Sequence, residues 1–265
     1  MIFPHPVTLR EAMETRAAKA ILPTDLSSAI LRQLPRAVRE RAIFSAGVQN
    51  VDFLERAKQA IDDIIAGKSN RATERTALRE LAEKFDLAAL TRDGRLNLIL
   101  DTQSKMGNGY GSWIEGQHPS VLLMWPAQEF YRAEDRKEPR DWPSRWSEAG
   151  GDFFPGDSDY PEGRMIALKN DPIWEDISAF GLPYAPFDYN SGMDLRDIDR
   201  DEAIDIGLLD EDGMEDSEER GLNEGLRASV GVGGNFGLGL ALGEFLGDIA
   251  KVGTDGIVRF LGAGS

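Results

Sequence analysis

The stretch PYAPFDYNSGM, residues Pro183 to Met193, combines two prolines and three aromatic residues with an aspartate, an asparagine and a glycine. This composition suits the rim of a catalytic pocket, a metal-binding loop or a turn packed against a core. The prolines hold the backbone in extended or turn geometry, and Phe187 and Tyr189 offer anchors to a core. Asn190 and Gly192 favour a tight turn. We therefore predict a structural segment that packs the end of a domain against its core.

The composition of the whole chain limits the chemistry that it can perform. The chain has 265 residues and no cysteine, which excludes disulfides, thiol nucleophiles and thiolate metal sites. Its two histidines, His5 and His118, each precede a proline, and so few imidazoles disfavour zinc sites and histidine relays. A net charge of −16 disfavours a nucleic-acid-binding surface. The N-terminus lacks a cationic start followed by an apolar run, which predicts a cytoplasmic product.

Apolar spacing from residue 9 to residue 85 predicts a helical N-terminal half. In NVDFLERAKQAIDDIIAG, Asn50 is the expected N-cap and Gly67 the expected end of a helix. The four stretches with this spacing are LREAMETRAAKAIL (9–22), LPTDLSSAILRQL (22–34), NVDFLERAKQAIDDIIAG (50–67) and NRATERTALRELAEKF (70–85).

The pattern changes after Leu96, where short apolar runs alternate with turns rich in proline and glycine. We interpret the runs VLLMW (121–125), EFYRA (129–133) and GRMIAL (163–168) as short strands, which predicts a compact α+β domain. All five tryptophans lie here, so this part should hold the densest core; they are Trp113, Trp125, Trp142, Trp146 and Trp174.

The C-terminal part is divided by a run of carboxylates. Residues 194–220 predict a helix to Leu209 and then a solvated acidic linker. Residues 228–243 are uncharged and rich in glycine, too short and too glycine-rich for a membrane-spanning helix. We therefore predict an α+β protein with four segments. These are a helical region (1–90), a small α+β domain (91–209), the acidic linker (210–227) and an extended glycine-rich apolar tail (228–265).

No motif for a cofactor or a nucleophile is complete. The run GVGGNFG has Phe236 where a dinucleotide-binding loop needs its third glycine, and no Gly-x-Ser-x-Gly is present. His118 is expected to be a turn residue and not a base.

Metal motifs are also incomplete. Asp197, Asp199 and Asp201 have the spacing of the first calcium ligands of an EF-hand, but Glu202 and Leu208 occupy the positions of the required glycine and glutamate. Asp157 and Asp159 have no third ligand at suitable spacing, so both groups are interpreted as solvated charge. We predict no catalytic, cofactor-binding or metal-binding residue, no cofactor and no small-molecule substrate.

Four stretches together resemble the phage head morphogenesis family, the Mu F-like minor head proteins. They are RLNLILDTQSKMGNGYGSW (95–113), WPAQEFYRAEDRKEPRDWPSRW (125–146), GRMIALKNDPIW (163–174) and PYAPFDYNSGM (183–193). Asp101-Thr102-Gln103 stands where that family has Arg-Thr-Glu, and Gly109-Tyr110-Gly111 follows at a similar distance. Pro186-Phe187-Asp188-Tyr189-Asn190 keeps the outline of the family's closing Pro-Pro-Phe-x-x-Asn-Cys-Arg-Cys motif. Ser191 and Met193 replace the two cysteines of the family, and no histidine lies near Arg140, so thiol or imidazole chemistry at these positions is excluded.

The resemblance implies a non-enzymatic virion protein of the head or neck, present in the host cytoplasm during assembly. Its implied partners are the portal protein, the major capsid protein or both, with packaged DNA nearby but not specifically bound. An alternative of a different class is a carboxylate-dependent hydrolase of glycan or peptidoglycan. The many carboxylates and the tryptophans Trp113 and Trp142, which would stack on sugars, motivate that alternative.

Overall fold

The computed structural model describes residues 20–21, 42–43, 48–217, 229–231, 250–252 and 257–260. These residues belong to two compact units. One unit contains residues 108–217, and the other contains the described residues before 108 and after 217. Helices and a four-stranded antiparallel sheet together confirm the mixed α+β class.

Two amphipathic helices in the unit that precedes residue 108 confirm the sequence prediction for residues 50–85. Helix α1 spans Val51–Ile65 and helix α2 spans Arg71–Lys84. Asn50 Oδ1 accepts a hydrogen bond from the Phe53 N–H at 2.8 Å, and Asn70 Oδ1 accepts one from the Thr73 N–H at 3.0 Å. Each cap satisfies a backbone donor that the helix itself leaves unpaired. The buried face of α1 includes Phe53, Leu54, Ala57 and Ile61, as its apolar spacing predicts.

Polar contacts join these helices to the one that follows. A short 3₁₀ turn at Ala88–Leu90 leads into helix α3, Asp93–Gly116. Buried Glu74 pairs with Arg56 at 2.5 Å, and Arg71 pairs with Asp101 at 2.7 Å. Charged side chains therefore join α2 to both α1 and α3.

The helix predicted at residues 9–22 is wrong where the structure describes it. Ala20–Ile21 forms strand β1, which pairs in parallel with strand β2, Ala42–Ile43. Pairing with a distant strand has overridden the local helical spacing. The remainder of that helix and the helix predicted at residues 22–34 lie outside the described residues.

The unit of residues 108–217 is built on a four-stranded sheet with the order β4-β5-β3-β6, antiparallel throughout. The C-terminal part of α3 and one short helix precede the sheet, and three short helices lie between or after its strands. The elements are α4 (Pro119–Met124), β3 (Ala127–Arg132), α5 (Trp142–Glu148), β4 (Phe153–Phe154), β5 (Arg164–Leu168), α6 (Ile173–Asp176), β6 (Met193–Ile198) and α7 (Arg200–Asp205).

Two of these elements differ from the prediction. The run VLLMW, predicted as a strand, ends helix α4, because Pro119 starts that helix and the His118 side chain caps it. The helix predicted to reach Leu209 is wrong over Met193–Ile198, which pairs with β3 as a strand. Only Arg200–Asp205 is helical there, and the Asp199 side chain caps it.

Side chains alternate between the two faces of the sheet and give each face a different chemistry. On one face Phe130 packs against Trp142 and Phe187, with 5.0 Å between ring centroids in both pairs. This aromatic core also contains Trp146, Met165, Ala167, Ile173, Trp174, Ile177 and Met193. Four of the five tryptophans are buried in this unit, as predicted, whereas Trp125 is 41% exposed.

The opposite face of the sheet contains a buried carboxylate. Glu129 is 2% exposed, and its oxygens accept hydrogen bonds from Arg164 and Arg196 at 2.7–2.9 Å. Arg164 also pairs with Glu202 of α7. Beside these charges Ala127, Ile166, Ile198 and Ala203 form a small apolar cluster. The carboxylate thus joins three strands and, through Arg164, the helix that covers them.

We expect Glu129→Ala to lower the free energy of unfolding by about 2–4 kcal/mol, because two guanidinium groups lose their shared acceptor. Gln128→Ala on the same strand is the matched control. Its side chain makes one long exposed hydrogen bond of 3.4 Å, so a change within about 0.5 kcal/mol is expected. Urea denaturation measures both. Equal effects would show that the Glu129 network does not stabilise the sheet.

Candidate functional site

The stretch Pro183–Met193, called here the closing segment, is packed into the unit of residues 108–217. Phe187 is fully buried and contacts Trp174 as well as Phe130, with 6.0 Å between the Phe187 and Trp174 ring centroids. Tyr184 is 2% exposed and makes an edge-on contact with Tyr110 of α3 at 5.6 Å. The segment therefore connects the aromatic core of the sheet to the end of α3.

Close approach of the closing segment to α3 depends on a glycine. A Cβ atom at Gly109 would lie 1.9 Å from the Ala185 carbonyl oxygen and 3.3 Å from the Tyr184 ring. Any side chain there would push the segment away from the helix. Glycine is unfavourable inside a helix, so Gly109 weakens α3 locally. It is needed there because the closing segment packs directly against the helix.

Arginines from the loop before α5 and from α5 itself hold the next part of the closing segment. The Asp188 carboxylate accepts from Arg140 at 3.1 Å and from Arg145 at 3.2 Å. Arg140 also donates to the Tyr189 carbonyl at 2.6 Å, and Arg136 donates to the Asn190 carbonyl at 3.0 Å. We call these three arginines the arginine clamp. Asp188 is thereby committed to structural ion pairs.

A tight turn ends the closing segment, as predicted. Asn190 and Gly192 have φ angles of 49° and 71°, the left-handed region that these residue types tolerate best. The Gly192 carbonyl accepts hydrogen bonds from the N–H groups of Ala133 and Glu134, both at 2.9 Å. Anchored at both ends and in its middle, the segment has the geometry of a packed closure.

Three of the candidate metal and base residues make structural contacts. Asp197 pairs with buried Lys169 at 2.9 Å, and Asp199 caps α7. His118 caps α4, and its Nδ1 lies 2.8 Å from the Ser120 hydroxyl. His118 and Ser120 are two positions apart in the chain, and their contact has the geometry of a helix cap. Among the residues that the structure describes, no group of three or more acidic or histidine side chains could hold a metal ion.

Two tryptophans proposed as sugar-stacking residues are in the core. Trp142 is fully buried and Trp113 is 9% exposed, so neither ring offers a face to a glycan. Their classification as exposed aromatics is therefore wrong, because the closing segment and the sheet cover them. This removes the aromatic part of the case for a glycan hydrolase.

A surface feature that sequence reasoning missed lies at the end of α4. Leu123, Met124 and Trp125 are 45%, 55% and 41% exposed, while Leu122 beside them is 2% exposed. We call the three exposed residues the apolar patch. A helix of six residues buries only one of its sides. The run VLLMW is typical of a buried strand unless Pro119 is taken as the start of a helix.

Residues 210–217, called here the acidic strap, remain attached to the unit. Arg200 donates to the carbonyls of Glu211 and Gly213 at 2.7 and 2.8 Å. Asn170 donates to the Asp216 carbonyl at 2.5 Å, and the Ser217 hydroxyl donates to the Gln117 carbonyl at 2.8 Å. These hydrogen bonds attach residues 210–217, the first part of the predicted acidic linker, to the unit of residues 108–217.

One carboxyl group of the acidic strap has a perturbed pKa. Partial burial raises the pKa of Glu215 above its ordinary value of 4.5, and the negative charges of Asp171 and Asp216 raise it further. Both causes disfavour the ionised carboxylate, and burial is the larger of the two. The strap therefore concentrates negative charge at one place on the unit.

Comparison with protein families, with curated proteins and with solved structures gave no match to this chain. Within the described ranges, no helix is both long enough and apolar enough to cross a membrane. Most of the predicted glycine-rich tail, including Phe236, lies outside the described residues. Three short strands are described there, β7 (Ser229–Gly231), β8 (Ala250–Val252) and β9 (Ile257–Phe260), with β9 between the other two in an antiparallel sheet.

Gly109→Ala should lower the free energy of unfolding by about 1–3 kcal/mol, the usual cost of overpacking, since the new methyl group displaces the closing segment. Gly94→Ala in the same helix is the control, because nothing lies within 4 Å of a Cβ at that position. It should be neutral or stabilising by up to about 1 kcal/mol. Thermal unfolding followed by tryptophan fluorescence compares the two. A destabilising Gly94→Ala with a neutral Gly109→Ala would contradict the packing described.

Glu215→Gln should raise the melting temperature at pH 7, because the ionised carboxylate is less favourable in the folded than in the unfolded chain. The folded pKa is raised, so this cost is fully present above the folded pKa and is lost as the pH falls to the unfolded value near 4.5. The advantage of the variant should therefore disappear by about pH 4. Glu148→Gln, at an exposed position, controls for the loss of one negative charge. A pH-independent difference would show that Glu215 is not the titrating group.

Proposed function

We propose that this protein is a minor head component of a phage or prophage, a structural protein that associates with the portal protein, the major capsid protein or both during assembly. The observation that carries the proposal is the contact between two stretches that resemble the phage head morphogenesis family. Gly109 and Tyr110 of α3 pack directly against Ala185 and Tyr184 of the closing segment.

These stretches are far apart in the sequence, and nothing local requires that they meet. Their contact supports the interpretation that they form one structural unit. Trp113 adds to this contact, with its ring 6.1 Å from that of Tyr184.

The positions that depart from the family pattern are also used for packing. Ser191 and Met193, which replace the family's cysteines, are 5% and 6% exposed. The Tyr160 hydroxyl donates to Met193 Sδ at 3.4 Å, and burial raises the pKa of this hydroxyl, which keeps it protonated as a donor. Closure of the unit at these positions therefore needs no thiol chemistry.

The surface of the protein fits a part in an assembly. The apolar patch exposes three large side chains in succession, which is the kind of surface that protein partners cover. The net charge of −16 would keep the protein from binding packaged DNA in a phage head. We place the protein in the head or neck of the virion, and in the host cytoplasm before assembly.

Purified particles of a phage that encodes this chain should contain it in few copies each, which quantitative mass spectrometry of particles and proheads measures. Complementation with Gly109→Ala should reduce its incorporation, because the closing segment is displaced, whereas Gly94→Ala should be incorporated normally. Absence of the wild-type protein from both particles and proheads would overturn the proposal.

A further inference from the structure

The apolar patch and the acidic strap border each other through one turn of the chain. The turn that follows β5 begins with Lys169, whose N–H donates to the Pro126 carbonyl at 2.8 Å, directly after Trp125. The next residue, Asn170, donates to the Asp216 carbonyl of the strap at 2.5 Å. Pro126, directly after the apolar patch, and Asp216 of the strap are therefore hydrogen-bonded to adjacent residues of the same turn.

The start of α4 is attached to the same place. Gln117 is two residues before this helix, and its side chain donates to Asn170 Oδ1 at 2.7 Å. Its carbonyl accepts from the Ser217 hydroxyl at 2.8 Å. The strap is thus hydrogen-bonded to Gln117, just before α4, and to Asn170 in the turn after β5. Two separate contacts therefore keep the strap close to the apolar patch.

The resulting surface has an apolar part and a negatively charged border. The strap contacts described above are made by its backbone carbonyls and by the Ser217 hydroxyl, and four of its five carboxylates lie at the surface. Asp210, Glu211, Asp212 and Asp216 are exposed, and Met214 between them is 73% exposed. Glu215 between them is partly buried, and its pKa is raised first by burial and then by the charges of Asp171 and Asp216.

We infer that the apolar patch and the acidic strap together form a docking surface for a segment of a partner protein that carries apolar side chains beside lysines or arginines. Exposed tryptophan and methionine supply the large contact area typical of interface anchors. The carboxylates select a basic partner and accelerate its encounter. The inference rests on the proposed function in one respect, which is that the partner is a protein of the assembling particle.

The charge of the strap argues against a second copy of this chain as the occupant. A symmetric dimer would place the same surface on both subunits, which would bring two acidic straps together. Like charges in such an interface cost binding free energy. Nucleic acid is disfavoured for the same electrostatic reason.

The test uses the full chain and three synthetic peptides, with binding measured by isothermal titration calorimetry. The first peptide is a helix with leucines on one face and lysines on the other. The second has the same residues in an order without an apolar face, and the third has glutamates in place of the lysines. We expect the first peptide to bind at least tenfold more tightly than the other two, and more weakly as salt is added.

Variants of exposed residues locate the binding site. Met124→Ser with Trp125→Ser should weaken binding of the first peptide at least tenfold, since both anchors are lost. Asp212→Asn with Asp216→Asn should weaken it several-fold, since both exposed carboxylates belong to the strap. Asp157→Asn with Asp159→Asn removes the same charge from exposed positions in another loop and should leave the affinity unchanged. Circular dichroism and melting temperature establish that each variant is folded.

The outcomes separate this inference from the proposed function. Equal weakening by the two acidic pairs, or unaltered binding by the patch variant, would overturn the docking surface even if the protein is found in particles. Concentration-dependent self-association that the patch variant abolishes would also overturn it, in favour of a second copy. Selective binding by a protein that is absent from particles would leave the docking surface supported and the proposed function contradicted.

Discussion

Insertion of Phe187 into the aromatic core is the interaction on which the rest of the unit of residues 108–217 depends. Its ring lies against Phe130 of the central strand and near Trp174, so it joins the sheet to the helices that cover it. The same segment places Tyr184 on α3 and Asp188 between arginines. Apolar burial supplies the attraction, and the polar contacts at its ends fix the register of the segment.

The buried acidic side chains of this unit are surrounded by positive charge. The chain is strongly acidic, yet the buried carboxylate Glu129 and the nearly buried Asp188 are surrounded by arginines. Positive charge is therefore used inside the unit to hold elements together, and negative charge is left on the acidic strap. This distribution is the physical basis of the proposal that the docking surface takes a basic protein segment.

Local signals of the sequence were sufficient for the helices α1 and α2. Asn50 and Asn70 cap these helices, and Gly67 follows the first of them in a left-handed conformation, because capping and backbone preferences act within a few residues. The turn at Asn190 and Gly192 was predictable for the same reason. Contacts between distant residues were not predictable, since no single stretch shows that Gly109 must accommodate the Ala185 carbonyl.

The sequence by itself determined the α+β class, the capped helices of residues 50–85, the closing turn and the exclusion of thiol chemistry, since each follows from residue type or from spacing along one segment. Tertiary structure decided that Met193–Ile198 is a strand, because pairing with β3 outweighs its helical spacing. It also decided which tryptophans are exposed. Trp142 is buried in the aromatic core that Phe187 of the closing segment also enters, whereas Trp125, directly after the six-residue helix α4, is exposed. Burial depends on what packs above a residue, and that partner comes from elsewhere in the chain.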